Sequence, residues 1–392
     1  MIFAERVGAL VKSETGKIND RAKELKRSGR DLVDLGAGEP RFREPKSVRT
    51  AGVGAIESGF TGYTEVGGFP GLQEAIKERY EKVFDLETDH LSAMATVGAK
   101  AALFEIGQLL YDDGGEVIIP RPYWVSYPAQ VKLAGATPVF VSGSRGNHYL
   151  PTADEIEEEI GPKTIAILIN SPGNPTGGVY EESQGEKLVE LAKTRDLFLI
   201  SDECYDGFVY GRDRFWSLAT SDYGKGLVVG STSKNFGMTG WRLGYILGEH
   251  RYIEELEKLQ SHITSSPPAI SQKAAEIALK DGLSLSRDLR NEFERKRNLL
   301  AEGLSGLPGI QCPPPPGSFY VFPDVLGLLK ELDYEKNEDT KLARTLLEEA
   351  GVVTIPGSAF GKPGHLRLAY LPKIERLEEA IERVRKTVNG LL

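Results

Sequence analysis

From residue 94 onward, short apolar runs alternate with stretches whose apolar residues recur every three or four positions. That alternation restricts the fold more than any other feature. Candidate strands fall at 94–97, 116–119, 137–141, 164–169, 197–201, 226–229 and 243–247. Helical patterns lie near 125–134, 154–160 and 182–195, and Ala102, Leu103, Ile106, Leu109 and Leu110 share one helical face. Strands joined through helices give βαβ units, hence an α/β fold with a mostly parallel sheet covered by helices on both sides.

Either side of this core the texture changes. Residues 1 to about 30 read as a polar helical segment ending at Arg27-Ser28-Gly29, a C-terminal glycine signal. Leu32-Val33-Asp34-Leu35 reads as a short strand running into Gly36-Ala37-Gly38-Glu39-Pro40, with helices expected over 46–58 and 71–83. The stretch 61–70 between those helices is too rich in glycine for a regular element. A charged helix over about 283–304 carries Leu285, Leu289, Phe293, Leu299, Leu300 and Leu304, an amphipathic set able to bridge two domains. Beyond the proline loop 313–316, strands at 318–322, 352–355 and 366–370 and helices at 340–350 and 373–388 make a smaller α+β unit. The expected division is a segment 1–44 lying partly in a small domain, a large domain 45–285 and a C-terminal small domain 286–392.

Composition removes several classes of function. With 48 Lys and Arg against 57 Asp and Glu, the formal charge of −9 argues against a nucleic-acid footprint. Two cysteines, Cys204 and Cys312, are too few for a disulfide framework and point to a reducing compartment. No stretch has signal-peptide character or is long and apolar enough to span a bilayer, so a cytoplasmic protein without membrane partners is expected. No metal site is expected. Gly36-Ala37-Gly38 lacks the third glycine of a dinucleotide fingerprint.

Several residues are placed for chemistry, each with an ordinary alternative. Gly226-Leu227-Val228-Val229 feeds Gly230-Ser231-Thr232-Ser233-Lys234, and a lysine among small residues after a buried strand suits a Schiff base with a carbonyl, or simple solvation. Gly98-Ala99-Lys100, where a strand passes into a helix, suits a phosphate or a plain tight turn. Asn174, in the loop after 164–169, could donate to an oxyanion or serve the Asn-Pro turn. Asp202 at a strand end needs a cation, which a protonated ring nitrogen or a structural ion pair could supply, and Tyr205 could hold a phenolic oxygen nearby. Trp124 could stack on a planar ring or sit in the core. Arg367, flanked by apolar residues, suits bidentate binding of a carboxylate or a structural ion pair.

Taken in order, these pieces make one line: Glu39-Pro40, Tyr63, Gly98-Ala99-Lys100, Pro122-Tyr123-Trp124, N-P-T-G at 174–177, S-D-E-C-Y at 201–205, S-T-S-K at 231–234, M-T-G-W-R at 238–242 and Arg367. From about Arg30 to Leu371 the chain resembles the class I/II aminotransferases, pyridoxal-phosphate enzymes of fold type I. The likeness is nearest to the bacterial and archaeal aspartate/aromatic group. The resemblance implies an enzyme that moves an amino group from an L-amino acid to a 2-oxo acid by a ping-pong mechanism. It makes Lys234 the catalytic lysine that carries the cofactor and shuttles the proton. Asp202 would keep the ring nitrogen protonated, Asn174 and Tyr205 would bind the phenolic oxygen, and Trp124 would stack on the ring. The phosphate would rest on Ala99 and Lys100, through their backbone N–H groups, and on Ser231 and Arg242, with Gly98 and Ser233 also among the cofactor-binding residues. Tyr63 would reach the phosphate of a neighbouring subunit, which implies a homodimer with shared sites. Arg367 would clamp the substrate α-carboxylate, helped by Gly38, Asn174 and Trp124.

The chain departs from the family pattern at two places. Glu39-Pro40-Arg41-Phe42-Arg43-Glu44-Pro45 stands where many relatives show Glu-Pro-Asp-Phe-Asp-Thr-Pro, and Leu10-Val11-Lys12-Ser13-Glu14-Thr15 replaces the usual Leu-Lys-Pro-Ser. Arg41, Arg43 or Lys12 could meet a second carboxylate or be solvated charges; for Arg43 the surface reading is preferred. Two alternatives accompany transamination: the same cofactor directing elimination, cyclisation or another rearrangement, and a regulator on an aminotransferase-like domain. The acidic chain and the short stretch before the first strand disfavour the regulator.

Overall fold

The computed structural model describes residues 4–8, 10, 14–40, 42–211 and 215–392. A first strand, β1 (Val33–Asp34), stands apart from the central sheet. That sheet is built from β2 (Leu91–Thr96), β3 (Glu116–Arg121), β4 (Thr137–Ser142), β5 (Thr164–Asn170), β6 (Phe198–Asp202), β7 (Gly226–Ser231) and β8 (Gly244–Glu249). Its strand order is β2-β8-β7-β6-β5-β3-β4. β3 to β7 run parallel to their neighbours, and only β8 is antiparallel to β7 and β2. Alternate residues of each strand enter opposite cores: Ile118, Ile167, Leu199 and Val228 pack on one side of the sheet. Val117, Leu168, Ile200 and Val229 pack on the other. Burial on both faces is why these strands read as unbroken apolar runs.

A third core gathers the two ends of the chain. Ile18, Leu25, Val33 and Leu35 pack with Leu300, Val353, Leu368 and Leu377. β9 (Tyr320–Val321), β10 (Val352–Val353), β11 (Ile355–Pro356) and β12 (Leu366–Ala369) complete the strands. β1 pairs in parallel with β10, while β12 lies between β11 and β9, antiparallel to both. The long helix Gly282–Ser305 and the C-terminal helix Ile374–Leu391 cover this unit.

The expected elements recur with local differences. The N-terminal helical segment contains Glu5–Gly8 and Glu14–Arg27 as separate helices. The helix expected over 154–160 stops at Ala153–Glu157, its start held by a capping box between Thr152 and Glu155. The strand expected over 352–355 is two short strands with different partners. Helices His250–Ser261 and Ala269–Lys280 were not among the expected elements; both pack on the large sheet or its covering helices. Among the described residues no helix is long and apolar enough to cross a membrane.

Candidate active site

Parallel register brings the carboxyl ends of three strands together. Asn170 lies beside Asp202, and Asp202 beside Val229, so β5, β6 and β7 each hand their following residues to one cleft. The cleft has a volume of about 380 Å³. Every residue expected at the site lines it except Gly98 and Tyr63.

Lys234 sits on a single helical turn, Thr232–Asn235, directly after β7. Ser231 starts the turn by accepting the Ser233 N–H at 3.0 Å. Asn235 anchors its other end, donating to Asp206 and accepting the Gly207 N–H at 3.2 Å. Asp206 is in turn paired with the buried Arg79. The Lys234 Nζ points back across the cleft and donates to the Gly38 carbonyl at 2.6 Å. Burial lowers its ammonium below the ordinary lysine value, and Arg367 and Arg242 push the same way against Cys204 and Glu39. Loss of the proton is what converts a lysine into a nucleophile.

Asp202 is buried at the end of β6 and accepts the Tyr127 hydroxyl at 2.6 Å and the Cys204 N–H at 3.1 Å. Burial raises its carboxyl, while those two neighbours and the Lys234 charge act against the rise. No ion pair to Asp202 exists among the described residues, so a cationic ring nitrogen matches what this carboxylate lacks. Trp124 also lines the cleft, edge-on to Tyr127 with ring centroids 5.3 Å apart.

The anion-binding end is built from a helix start. Helix Ala99–Leu110 begins at Gly98, whose φ of 80° belongs to the left-handed region. A Cβ at this position would lie 2.6 Å from the Arg242 Nη2, so glycine admits the guanidinium beside the free N–H groups of the first turn. Arg242 is held by its Nη1, which donates to the Thr239 carbonyl at 2.9 Å. Ser231, the last residue of β7, and Ser233 also line the cleft. The Lys100 Nζ stands 4.9 Å from the Trp124 ring centre. Burial and Arg242 together lower its ammonium below the usual lysine range.

Arg367 comes from β12 and is 5% exposed. Its guanidinium lies between Tyr320 and Phe360, 4.5 and 4.9 Å from their ring centres. Nη1 donates to Asn174 Oδ1 at 3.1 Å and Nη2 to the Gly36 carbonyl at 2.6 Å. Nε is buried with no partner among the described residues. The Asn174 amide nitrogen donates onward to the Tyr205 hydroxyl at 3.3 Å.

Tyr63 is 95% exposed in the glycine-rich loop and stays outside the cleft of its own chain. Arg43 is exposed. Arg41 and Lys12 fall outside the described residues. Two residues were not foreseen. Tyr127 begins a helix marked by Pro128, but nothing local shows that its phenol turns toward Asp202. Tyr320 lies in an apolar run with no local signal, yet its hydroxyl lies 3.2 Å from that of Tyr205.

A sequence model of the family Aminotransferase class I and II matches residues 30–384. The chain belongs to that family and is a pyridoxal-phosphate-dependent aminotransferase. It is 39% identical over 389 residues to an aspartate aminotransferase of Geobacillus stearothermophilus, covering 98% of each chain. It is 40% identical over 394 residues to a probable aspartate/prephenate aminotransferase of Aquifex aeolicus, covering 99% of each. Among solved structures, the aspartate aminotransferase of Rhizobium meliloti superposes with a TM-score of 0.93 at 34% identity over 99% of both chains. The Thermus thermophilus aspartate aminotransferase with maleate gives 0.91 at 37% identity, covering 99% of this chain and 100% of that one. The expected fold type I architecture is the one these neighbours share.

The residues present fit the cofactor. A buried carboxylate without a cation, a glycine-opened helix start beside an arginine, and a lysine with a lowered proton affinity match its ring nitrogen, phosphate and carbonyl in turn.

Proposed function

We propose that this aminotransferase takes the amino group from a dicarboxylic L-amino acid of the aspartate type and passes it to a 2-oxo acid in two half-reactions at one site. The observation that carries the substrate class is the pair of cations in one cleft. Arg367 is backed by Asn174 and Gly36, while Lys100 lies over Trp124 with no ion pair among the described residues. A substrate with a carboxylate at each end satisfies both. The Thermus thermophilus relative solved with maleate, also a dicarboxylate, agrees with this reading.

When bound, pyridoxal phosphate supplies a reactive carbonyl and an electron-withdrawing ring. Asp202, held in place by Tyr127 and Cys204, would keep the ring nitrogen protonated. Asn174 and Tyr205 would donate to the phenolic oxygen, and Trp124 would cover a ring face. Gly98, Ala99, Lys100 through its backbone, Ser231, Ser233 and Arg242 would hold the phosphate. Arg367 orients the amino acid by its α-carboxylate, with Gly38, Trp124 and Asn174 around it, so that the Cα–H bond faces Lys234. Lys234, neutral once released from its covalent role, would take the α-proton and deliver it to the cofactor's reactive carbon within the same half-reaction, and the acceptor half-reaction would run that transfer in reverse.

The catalytic unit is read as a homodimer in which Tyr63 completes the neighbouring site, since this tyrosine on a glycine-rich loop is 95% exposed and is not among the described residues that line its own chain's cleft. Residues 45–285 are read as the large domain and 286–392 as the smaller one, to which part of 1–44 belongs, a division supported by the core that Ile18, Leu25, Val33 and Leu35 share with the C-terminal region. Two cysteines, too few for a disulfide framework, support a cytoplasmic location.

The test is a screen of amino donors with 2-oxoglutarate as acceptor, followed by Lys100→Ala. Turnover of aspartate is expected, with kcat/KM reduced about tenfold or more in the variant for aspartate but not for phenylalanine. Equal losses for both donors would refute the dicarboxylate reading. Release of ammonia or pyruvate without an acceptor would favour elimination instead.

A further inference from the structure

The substrate clamp and the group that holds the cofactor ring meet at a residue assigned to neither. Tyr320, in β9, is 1% exposed. Its ring is one of the two faces enclosing the Arg367 guanidinium, 4.5 Å from the ring centre. Its hydroxyl lies 3.2 Å from that of Tyr205, and a Cβ on Gly38 would come within 2.5 Å of it. Gly38 is also the residue whose carbonyl receives Lys234. One side chain thus touches the clamp, the phenol at the ring and the backbone that holds the lysine.

The direction of the hydrogen bonds follows from donor counting. Arginine only donates, so the Asn174 atom facing Arg367 is its oxygen, and its NH2 group faces Tyr205. The Tyr205 oxygen therefore accepts from Asn174. A phenolate oxygen on the bound cofactor accepts only, so Tyr205 must spend its own proton there. Its remaining lone pair can then be met only by a donor, and Tyr320 is the hydroxyl in place. Hydrogen bonds in such a chain strengthen one another.

We propose that Tyr320 is a positioning residue that couples the two ends of the site, seating Arg367 on its ring and donating its hydroxyl proton to Tyr205. This rests on the cofactor placement given above. Its two parts separate cleanly: Tyr320→Phe deletes the donor and keeps the platform, whereas Tyr320→Leu deletes both. The other charged or titratable groups facing Lys234, namely Arg367, Arg242, Glu39, Asp202 and Cys204, are unchanged in either variant.

The experiment is a spectroscopic pH titration of the cofactor-loaded proteins, with the dissociation constant for maleate measured on the same samples. In Tyr320→Phe, weaker donation from Tyr205 leaves the phenolic oxygen less able to hold negative charge. The midpoint of the absorbance change then moves up by about half to one pH unit, while maleate binding changes less than about twofold. In Tyr320→Leu the midpoint moves similarly and maleate binding weakens about 5- to 30-fold. An unmoved midpoint in the Phe variant, or Phe and Leu variants with equal maleate affinity, overturns the proposal. Absence of a cofactor band in the unsubstituted protein would instead strike the cofactor placement itself.

Discussion

Replacing Arg367 by lysine tests the clamp without removing its charge. The guanidinium makes two bonds to protein, 3.1 Å to Asn174 Oδ1 and 2.6 Å to the Gly36 carbonyl, and its carbon lies 4.5 and 4.9 Å from the ring centres of Tyr320 and Phe360. A lysine ammonium is a point charge and cannot present a planar fork to a carboxylate while keeping both of those partners. Loss of one charge-assisted hydrogen bond amounts to about 1.5–3 kcal/mol. The weaker fit between Tyr320 and Phe360 adds about 0.5–1 kcal/mol. Together these correspond to an amino-acid dissociation constant raised roughly 30- to 1,000-fold. The assay is titration of the cofactor-loaded protein with amino acid, followed by absorbance, beside a thermal melt to show that the variant is folded. A folded variant that binds its amino acid within about threefold of the parent would refute the clamp, because the fork would then contribute nothing.

Three further outcomes are expected. Lys234→Ala should abolish covalent attachment: borohydride reduction of the cofactor-loaded protein followed by mass spectrometry should give no adduct, and an adduct of unchanged yield would remove Lys234 from its role. Mixing Lys234→Ala and Tyr63→Ala subunits should restore activity above the sum of the two, since a mixed dimer with shared sites contains one intact site; no gain on mixing counts against sharing. Glu105, buried in helix Ala99–Leu110 with neither carboxylate oxygen hydrogen-bonded among the described residues, is pushed by burial from an ordinary 4.5 up to about 7. Between those values the unfolded chain has released a proton that the folded chain still holds, so stability falls as pH rises through the window and is level above it. Glu105→Gln should therefore gain about 3 kcal/mol relative to the parent between pH 4.5 and 7, read by denaturation at several pH values; a difference independent of pH would exclude the ionisation as its source.

The parallel sheet was legible in the sequence because strands buried on both faces leave unbroken apolar runs, as at 164–169 and 226–229. The site was legible where motif and backbone coincide: Gly98 carries the left-handed φ that a helix start against Arg242 needs, and Lys234 follows its strand by one turn. Helix His250–Ser261 was less legible, since its apolar residues are few and their partners lie elsewhere in the chain. Tyr127 and Tyr320 were illegible as site residues for a similar reason. A tyrosine's place depends on which way its ring turns, and that is settled by Asp202, 75 positions from Tyr127, and by Arg367 on a neighbouring strand.

Local chemistry along the chain thus determined which residue types could serve: an amine beside small residues, a carboxylate at a strand end, an arginine in an apolar strand. Only the tertiary structure decided that they serve one cleft. The register of β5, β6 and β7 sets Asn170, Asp202 and Ser231 at one edge, and the pairing of β1 with β10 carries Gly36 and Gly38 to Arg367 and Lys234. Burial by that assembly, absent in any isolated segment, is what lowers the lysine and raises the aspartate.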